Sequence, residues 1–99
     1  EMENLIQLRF DKATTNLAGN RYGNQVFESQ IQKKLDYTKL NIVVFPEAIE
    51  DIASSFIEGI YKFIGEKYGK TKALEIMCLQ AENFDAQEKI KESIETFGV

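Results

Sequence analysis

Apolar and polar positions partly alternate through Leu5-Ile6-Gln7-Leu8-Arg9-Phe10, and the stretch from Asp11 to Asn16 that follows is polar, which predicts a first strand suited to a sheet edge. From Thr14 to Gly23 the residues favour turns. The pattern then becomes helical, with Phe27, Ile31 and Leu35 spaced i, i+4 and i+8, which predicts a helix over 21–36. Asn41 to Phe45 is a short, nearly all-apolar, β-branched run stopped by Pro46, the signature of a central strand buried on both faces. After a loop over 46–53, Ser55 and Glu58 form a capping-box pattern ahead of Phe56, Ile57, Ile60, Tyr61, Phe63, Ile64 and Tyr68, predicting a helix over 54–68. Those seven side chains spread over an arc of roughly 160° at 100° per residue and leave Glu58, Gly59, Lys62, Gly65 and Glu66 opposite.

Gly69 supplies a helix stop, and Ala73 to Leu79 reads as the next strand. Asp85 is expected to cap a last helix that ends near Phe97 and turns Ala86, Ile90, Ile94 and Phe97 inward. The order β, α, β, α, β, α predicts an α/β domain spanning 1–99, with a core over about 5–97. Its sheet is expected to be mixed but mostly parallel, of about four strands, flanked by three helices.

Composition narrows the function classes. The 99 residues suit one domain, and 43% hydrophobic, 28% charged and a single proline describe a folded chain rather than a disordered tail. The longest apolar run falls far short of the roughly 20 residues a membrane span needs. The first residues lack the basic start and apolar stretch of a secretory leader, and Cys78 has no partner cysteine. A cytoplasmic location is therefore the expectation. A net charge of −4 disfavours nucleic acid as a partner, because counterion release requires a concentrated basic face. The chain contains no histidine, which excludes His-dependent triads and His-ligated metal sites. An enzyme is not expected, and neither a metal nor another cofactor is.

Several clusters carry candidate chemistry. Gly19-Asn20-Arg21-Tyr22-Gly23 precedes a helix, where backbone amides can hold phosphate, yet its spacing fits neither the Walker pattern nor GxGxxG and favours turn-making. Glu47, Glu50 and Asp51 follow the central strand, where open α/β sheets place ligands; a solvated acidic loop is favoured over a magnesium site. Lys67, Lys70 and Lys72 surround the C-terminus of the helix over 54–68, where cations complement the dipole; a structural role is favoured over anion binding. Cys78 is expected to be buried and inert. Ser54 and Ser55 open the broadest apolar helix: they either cap it or accept phosphate, since a phosphoserine at a helix N-terminus gains from the dipole.

The stretch Ile42-Val43-Val44-Phe45-Pro46-Glu47-Ala48-Ile49-Glu50-Asp51-Ile52-Ala53-Ser54-Ser55-Phe56-Ile57 resembles the central strand, loop and helix start of STAS domains, the anti-sigma-factor-antagonist fold. It is similar to a bacterial STAS-like group of unknown function in which Ser-Ser-Phe begins this helix. A glycine-containing turn at 19–23 and the Asn-Phe-Asp start at 83–85 extend the likeness over roughly 5–97. In the antagonists the loop ends Asp-Ser-Ser-Gly, and its first serine takes phosphate from a partner kinase; by position that serine is Ser54. Ala53 stands here where that motif has aspartate, and Phe56 where it has glycine. The resemblance implies a non-catalytic signalling module that contacts a regulatory protein, such as an ATP-binding kinase-like one, through Asp51, Ala53, Phe56, Ile57 and Tyr61. A small-ligand or nucleotide-binding domain is the alternative.

Overall fold

The computed structural model describes residues 2–97, with the side chain of Phe97, expected on the inner stripe of the last helix, outside the described residues. Three strands, β1 (Glu3–Gln7), β3 (Leu40–Phe45) and β5 (Met77–Ala81), form a parallel sheet in the order β1-β3-β5. The run stopped by Pro46 is thus the central strand, and β1 lies at an edge. Two further strands, β2 (Asn16–Leu17) and β4 (Asp51–Ile52), make a separate parallel pair. The sheet therefore has three strands rather than four, because the fourth is reduced to this two-residue pairing between loops.

Four helices accompany the strands: α1 (Asn20–Val26), α2 (Ser54–Tyr68), α3 (Lys70–Ile76) and α4 (Phe84–Phe97). The helix expected over 21–36 is broken, since α1 passes into a π-turn over Phe27–Ile31 and a 3₁₀ turn over Gln32–Lys34. The side-chain amide of Gln30, within the π-turn, donates to the Arg9 carbonyl and accepts from the Arg9 N–H, each at 2.8 Å. It pairs with the backbone beyond β1 as a neighbouring strand would.

The strand expected over Ala73–Leu79 is corrected to a helix followed by a strand. Ala73, Leu74 and Glu75 are strong helix formers, and Ala73, Ile76 and Met77 are buried at i, i+3 and i+4. Gly69, at φ 91°, makes the sharp junction: its N–H bonds the Gly65 carbonyl at 2.8 Å, and its own carbonyl accepts from Ala73 at 2.9 Å.

Register and burial divide the sheet into two unlike faces. Ile6, Val43 and Leu79 are in register and buried, and all four helices contribute side chains to the core on that side. Leu5, Ile42 and Cys78 form the adjacent row on the other side, and neither they nor Val44 belong to that core. Leu5 is 69% exposed, whereas Ile42, between its neighbours, is only 6% exposed. The expectation of burial on both faces of the central strand therefore holds fully on one face and in part on the other, where Ile42 is buried, Val44 half-buried and Leu40 exposed.

Two devices fix how the elements pack, one between helices and one where the sheet's strands begin and α3 ends. Gly23 and Gly59 are the contact points of α1 and α2: a Cβ on Gly23 would collide with the Phe56 carbonyl oxygen, and one on Gly59 with the Asn20 carbonyl oxygen. Gly59, expected on the polar side of α2, is therefore buried. At the opposite end, the buried Asn41 Oδ1 accepts from Asn4 Nδ2 at 2.7 Å and from the Asp36 N–H at 2.9 Å, while its Nδ2 donates to the Ile76 carbonyl at 3.0 Å. One polar side chain thus ties β1, β3 and the end of α3 together, with its hydrogen-bonding capacity satisfied as burial requires.

Candidate functional site

The loop leaving β3 turns back through β4 before α2 begins, so the residues from Asp51 to Ser55 gather at the C-terminal end of the sheet. Ala53, in extended conformation, is the N-cap of α2, and no side chain caps the helix. The capping-box expectation is thereby corrected, because both serines have other partners. Ser55 Oγ accepts the Gly19 N–H at 2.9 Å, joining α2 to the turn before α1. Ser54 Oγ lies 2.9 Å from Ser93 Oγ, joining α2 to α4. Ser54 is exposed, Ser55 half-buried and Ser93 buried.

Beside this pair, Asp51 forms an ion pair with Lys89 at 3.1 Å. Lys89 and Ser93 are four residues apart and so share one side of α4. The junction of β4, α2 and α4 therefore contains two polar links, one between hydroxyls and one between charges.

Of the residues expected to contact a partner, Asp51 and Ala53 are partly accessible. Phe56, Ile57 and Tyr61 are corrected to core positions. Phe56 packs edge-on against Tyr22 and Phe45, at centroid distances of 5.3 and 6.1 Å, and Tyr61 donates its hydroxyl to the Met77 carbonyl at 2.7 Å. These three face inward because helices pack on both sides of α2, so its wide apolar arc is consumed within the fold.

The remaining clusters are more dispersed. The Gly19 and Gly23 amides of the glycine turn already donate, to Ser55 Oγ and to the Gly19 carbonyl, so they do not form an open phosphate cradle. Among the described residues, no group of three or more carboxylate or cysteine side chains is placed to hold a metal ion, Glu47, Glu50 and Asp51 included. No helix among them is long and apolar enough to cross a membrane. Cys78 is half-buried rather than buried, and desolvation, with a smaller contribution from Glu3, pushes its thiol above the usual range, which disfavours the nucleophilic thiolate. Lys67, Lys70 and Lys72 lie near the other end of the sheet.

An open groove of about 500 Å³ runs between α2 and α3, with Tyr61, Ala73 and Leu74 along it and Glu58, Lys62 and Lys70 at its margin. Of these, the sequence singles out Tyr61 as a partner contact and Lys70 within a lysine cluster, but not the groove itself, because the expected strand over Ala73–Leu79 hides α3. Lys89 and Ser93 were missed as well, although a serine three residues after Ile90, on the inward side of α4, was a visible signal. No family model matches the chain, and neither a curated protein nor a solved structure matches it.

Proposed function

We propose that the chain is a non-catalytic STAS-like regulatory module that binds a signalling protein, such as an ATP-binding kinase-like partner, and is switched by phosphorylation of Ser54. The observation carrying this reading is Ser54, an exposed residue in the first turn of α2 whose hydroxyl bonds Ser93, close in sequence to the Asp51–Lys89 ion pair. A phosphate there adds nearly two negative charges at the positive end of the α2 dipole. It replaces the link to the buried Ser93, repels Asp51 and attracts Lys89, so the surface a partner meets changes in charge and shape together. Ser55 suits the role less, because its oxygen holds the Gly19 amide against α2. The docking surface consists of Asp51, Ala53, Ser54 and the adjoining turn of α4, with Phe56, Ile57 and Tyr61 supporting it from beneath.

The test is binding in native lysate to the wild-type chain and to Ser54→Asp, with mass spectrometry of the captured proteins and of both serines. A partner that the Asp variant loses, together with phosphate on Ser54 of the native protein, supports the switch. Equal capture by both forms with neither serine phosphorylated overturns it. The groove between α2 and α3 favours a second reading, a small-ligand domain, for which a panel of nucleotides should raise the melting temperature of the isolated chain.

A further inference from the structure

Because the three strands are parallel, their starts and their ends define two opposite poles, and these differ in chemistry. Near the starts lie Lys33 and Lys34 of the 3₁₀ turn, Lys39 before β3, Lys67 at the end of α2, and Lys70 and Lys72 of α3. Contacts join most of them: Asn4 of β1 donates to the Lys34 carbonyl at 2.7 Å, Tyr37 packs on Tyr68, next to Lys67, at 5.7 Å between ring centroids, and a shallow hollow of about 270 Å³ joins Lys39 to Lys72. None of the six lysines is in an ion pair among the described residues. The carboxylates at this pole are Glu3, Asp36, Glu66 and Glu75; Glu66 is paired with Lys62 at 2.9 Å, and Asp36 accepts from both the N–H and the hydroxyl of Thr38.

The same pole is the most apolar part of the surface. Of the eight large hydrophobic side chains exposed among the described residues, Met2, Tyr37, Leu40, Phe63 and Tyr68 stand here. Lys67 Nζ lies 5.8 Å from the Phe63 ring centre and 5.6 Å from that of Tyr68, so cationic and aromatic surface are interleaved.

At the other pole, Glu47 follows β3, Glu50 lies in the next loop, and Glu82 and Asp85 follow β5, with no ion pair at any of the four among the described residues. The cations there are Arg9, Lys12, Arg21 and Lys89, the last already paired with Asp51. Phe84 stands between Glu82 and Asp85 with 74% of its surface exposed. A single aromatic anchor set among carboxylates is the complement of an aromatic surface set among lysines, and this chain carries both.

We infer that the chain self-associates head to tail, with Phe84 and the surrounding carboxylates of one copy seated on the Tyr37, Phe63 and Tyr68 surface of the next. On its Phe84 side this contact lies at the same pole as Ser54 but does not require phosphate there. A protein surface suits the lysine pole better than nucleic acid or an anionic membrane does, because Glu3 and Glu75 lie among the lysines and repel a uniform array of phosphates. Such a contact is heterologous, so each assembly retains one free pole of each kind and grows stepwise.

Sedimentation equilibrium of the whole chain tests this. At about 0.01 M salt, where charges act over about 30 Å, the weight-average mass should rise with protein concentration and pass about twofold the monomer mass; at about 1 M salt it should return to the monomer. Lys39→Glu with Lys72→Glu makes both poles acidic, and Glu47→Lys with Glu50→Lys makes both basic, so each double variant alone should remain monomeric. Mixed in equal amounts, the two variants should associate again, a result that also shows both are folded. A wild-type chain that is monomeric at every concentration in low salt overturns the inference, as does a mass that stops at the dimer or an association that survives both salt and charge reversal. Binding of oligo(dT) or phosphatidylserine vesicles by a chain that stays monomeric also overturns it, assigning the lysine pole to nucleic acid or membrane.

Discussion

The two faces of the sheet use the same three strands and meet different fates. Ile6, Val43 and Leu79 on one face are sealed beneath four helices, while Leu5, Ile42 and Cys78 on the other lie outside the core. In β1 the alternation of faces is written at Gln7 but not at Leu5, which is as apolar as Ile6. In β3 it is not, because Leu40, Ile42 and Val44 are as apolar as Val43 and Phe45. An apolar strand therefore shows that a residue tolerates burial, and it leaves open whether the fold has anything left to cover it. Here all four helices serve one side.

The two faces differ most at a pair of leucines three residues apart. Leu8, whose N–H bonds the Val44 carbonyl at 2.9 Å, is 1% exposed and belongs to the core. Leu8→Ala should lower unfolding free energy by about 2–5 kcal/mol, measured by urea denaturation, since it removes a buried side chain and leaves a cavity. Leu5→Ala, on the open face, should change it by no more than about 0.5 kcal/mol. Similar losses at both positions would mean that the second face is covered in solution.

A smaller effect distinguishes the packed from the open side of α2. Gly59→Ala forces a methyl group into the Asn20 carbonyl oxygen and should destabilise by about 1–3 kcal/mol. Gly65→Ala, where a Cβ would meet nothing within 4 Å, should stabilise by up to about 1 kcal/mol through helix propensity alone. Thermal melting of the pair checks both signs; stabilisation by Gly59→Ala would show that α1 and α2 are not in close contact.

The smallest effect concerns Tyr61, which joins α2 to β5. Tyr61→Phe removes the hydrogen bond to Met77 and should lose about 1 kcal/mol at neutral pH. Burial, with a lesser contribution from Cys78, pushes the Tyr61 hydroxyl far above its ordinary value of 10.0. Above that pH the folded state holds a proton that the unfolded chain releases, so stability falls as pH rises. Denaturation at increasing alkaline pH should show a shallower decline for Tyr61→Phe; an unchanged slope would assign the alkaline loss to other groups.

Helix α2 was legible almost to the residue because its apolar positions repeat over four turns, and β3 because Pro46 ends an apolar run. The region from Lys70 to Leu79 was not, since a seven-residue helix followed directly by a strand shows neither period for long enough to distinguish them. The serines opening α2 were visible as a candidate site from their position, whereas their partners were not: Ser93 and Gly19 are 39 and 36 residues away along the chain. Phe56, Ile57 and Tyr61 are legible as an apolar face, and the structure buries all three; a helical stripe does not say whether its cover comes from within the chain.

Local pattern was sufficient for the α/β class, the central strand, the long second helix and the exclusion of histidine chemistry, since these depend on residue type and on spacings of a few residues. Which face of the sheet the helices chose, the seating of α1 on α2 through two glycines, the use of both serines as links rather than caps, and the gathering of lysines near the strand starts depend on groups brought together from distant parts of the chain. Such contacts are selected by packing and by satisfaction of buried polar groups, which are properties of the assembled volume and have no local period to read.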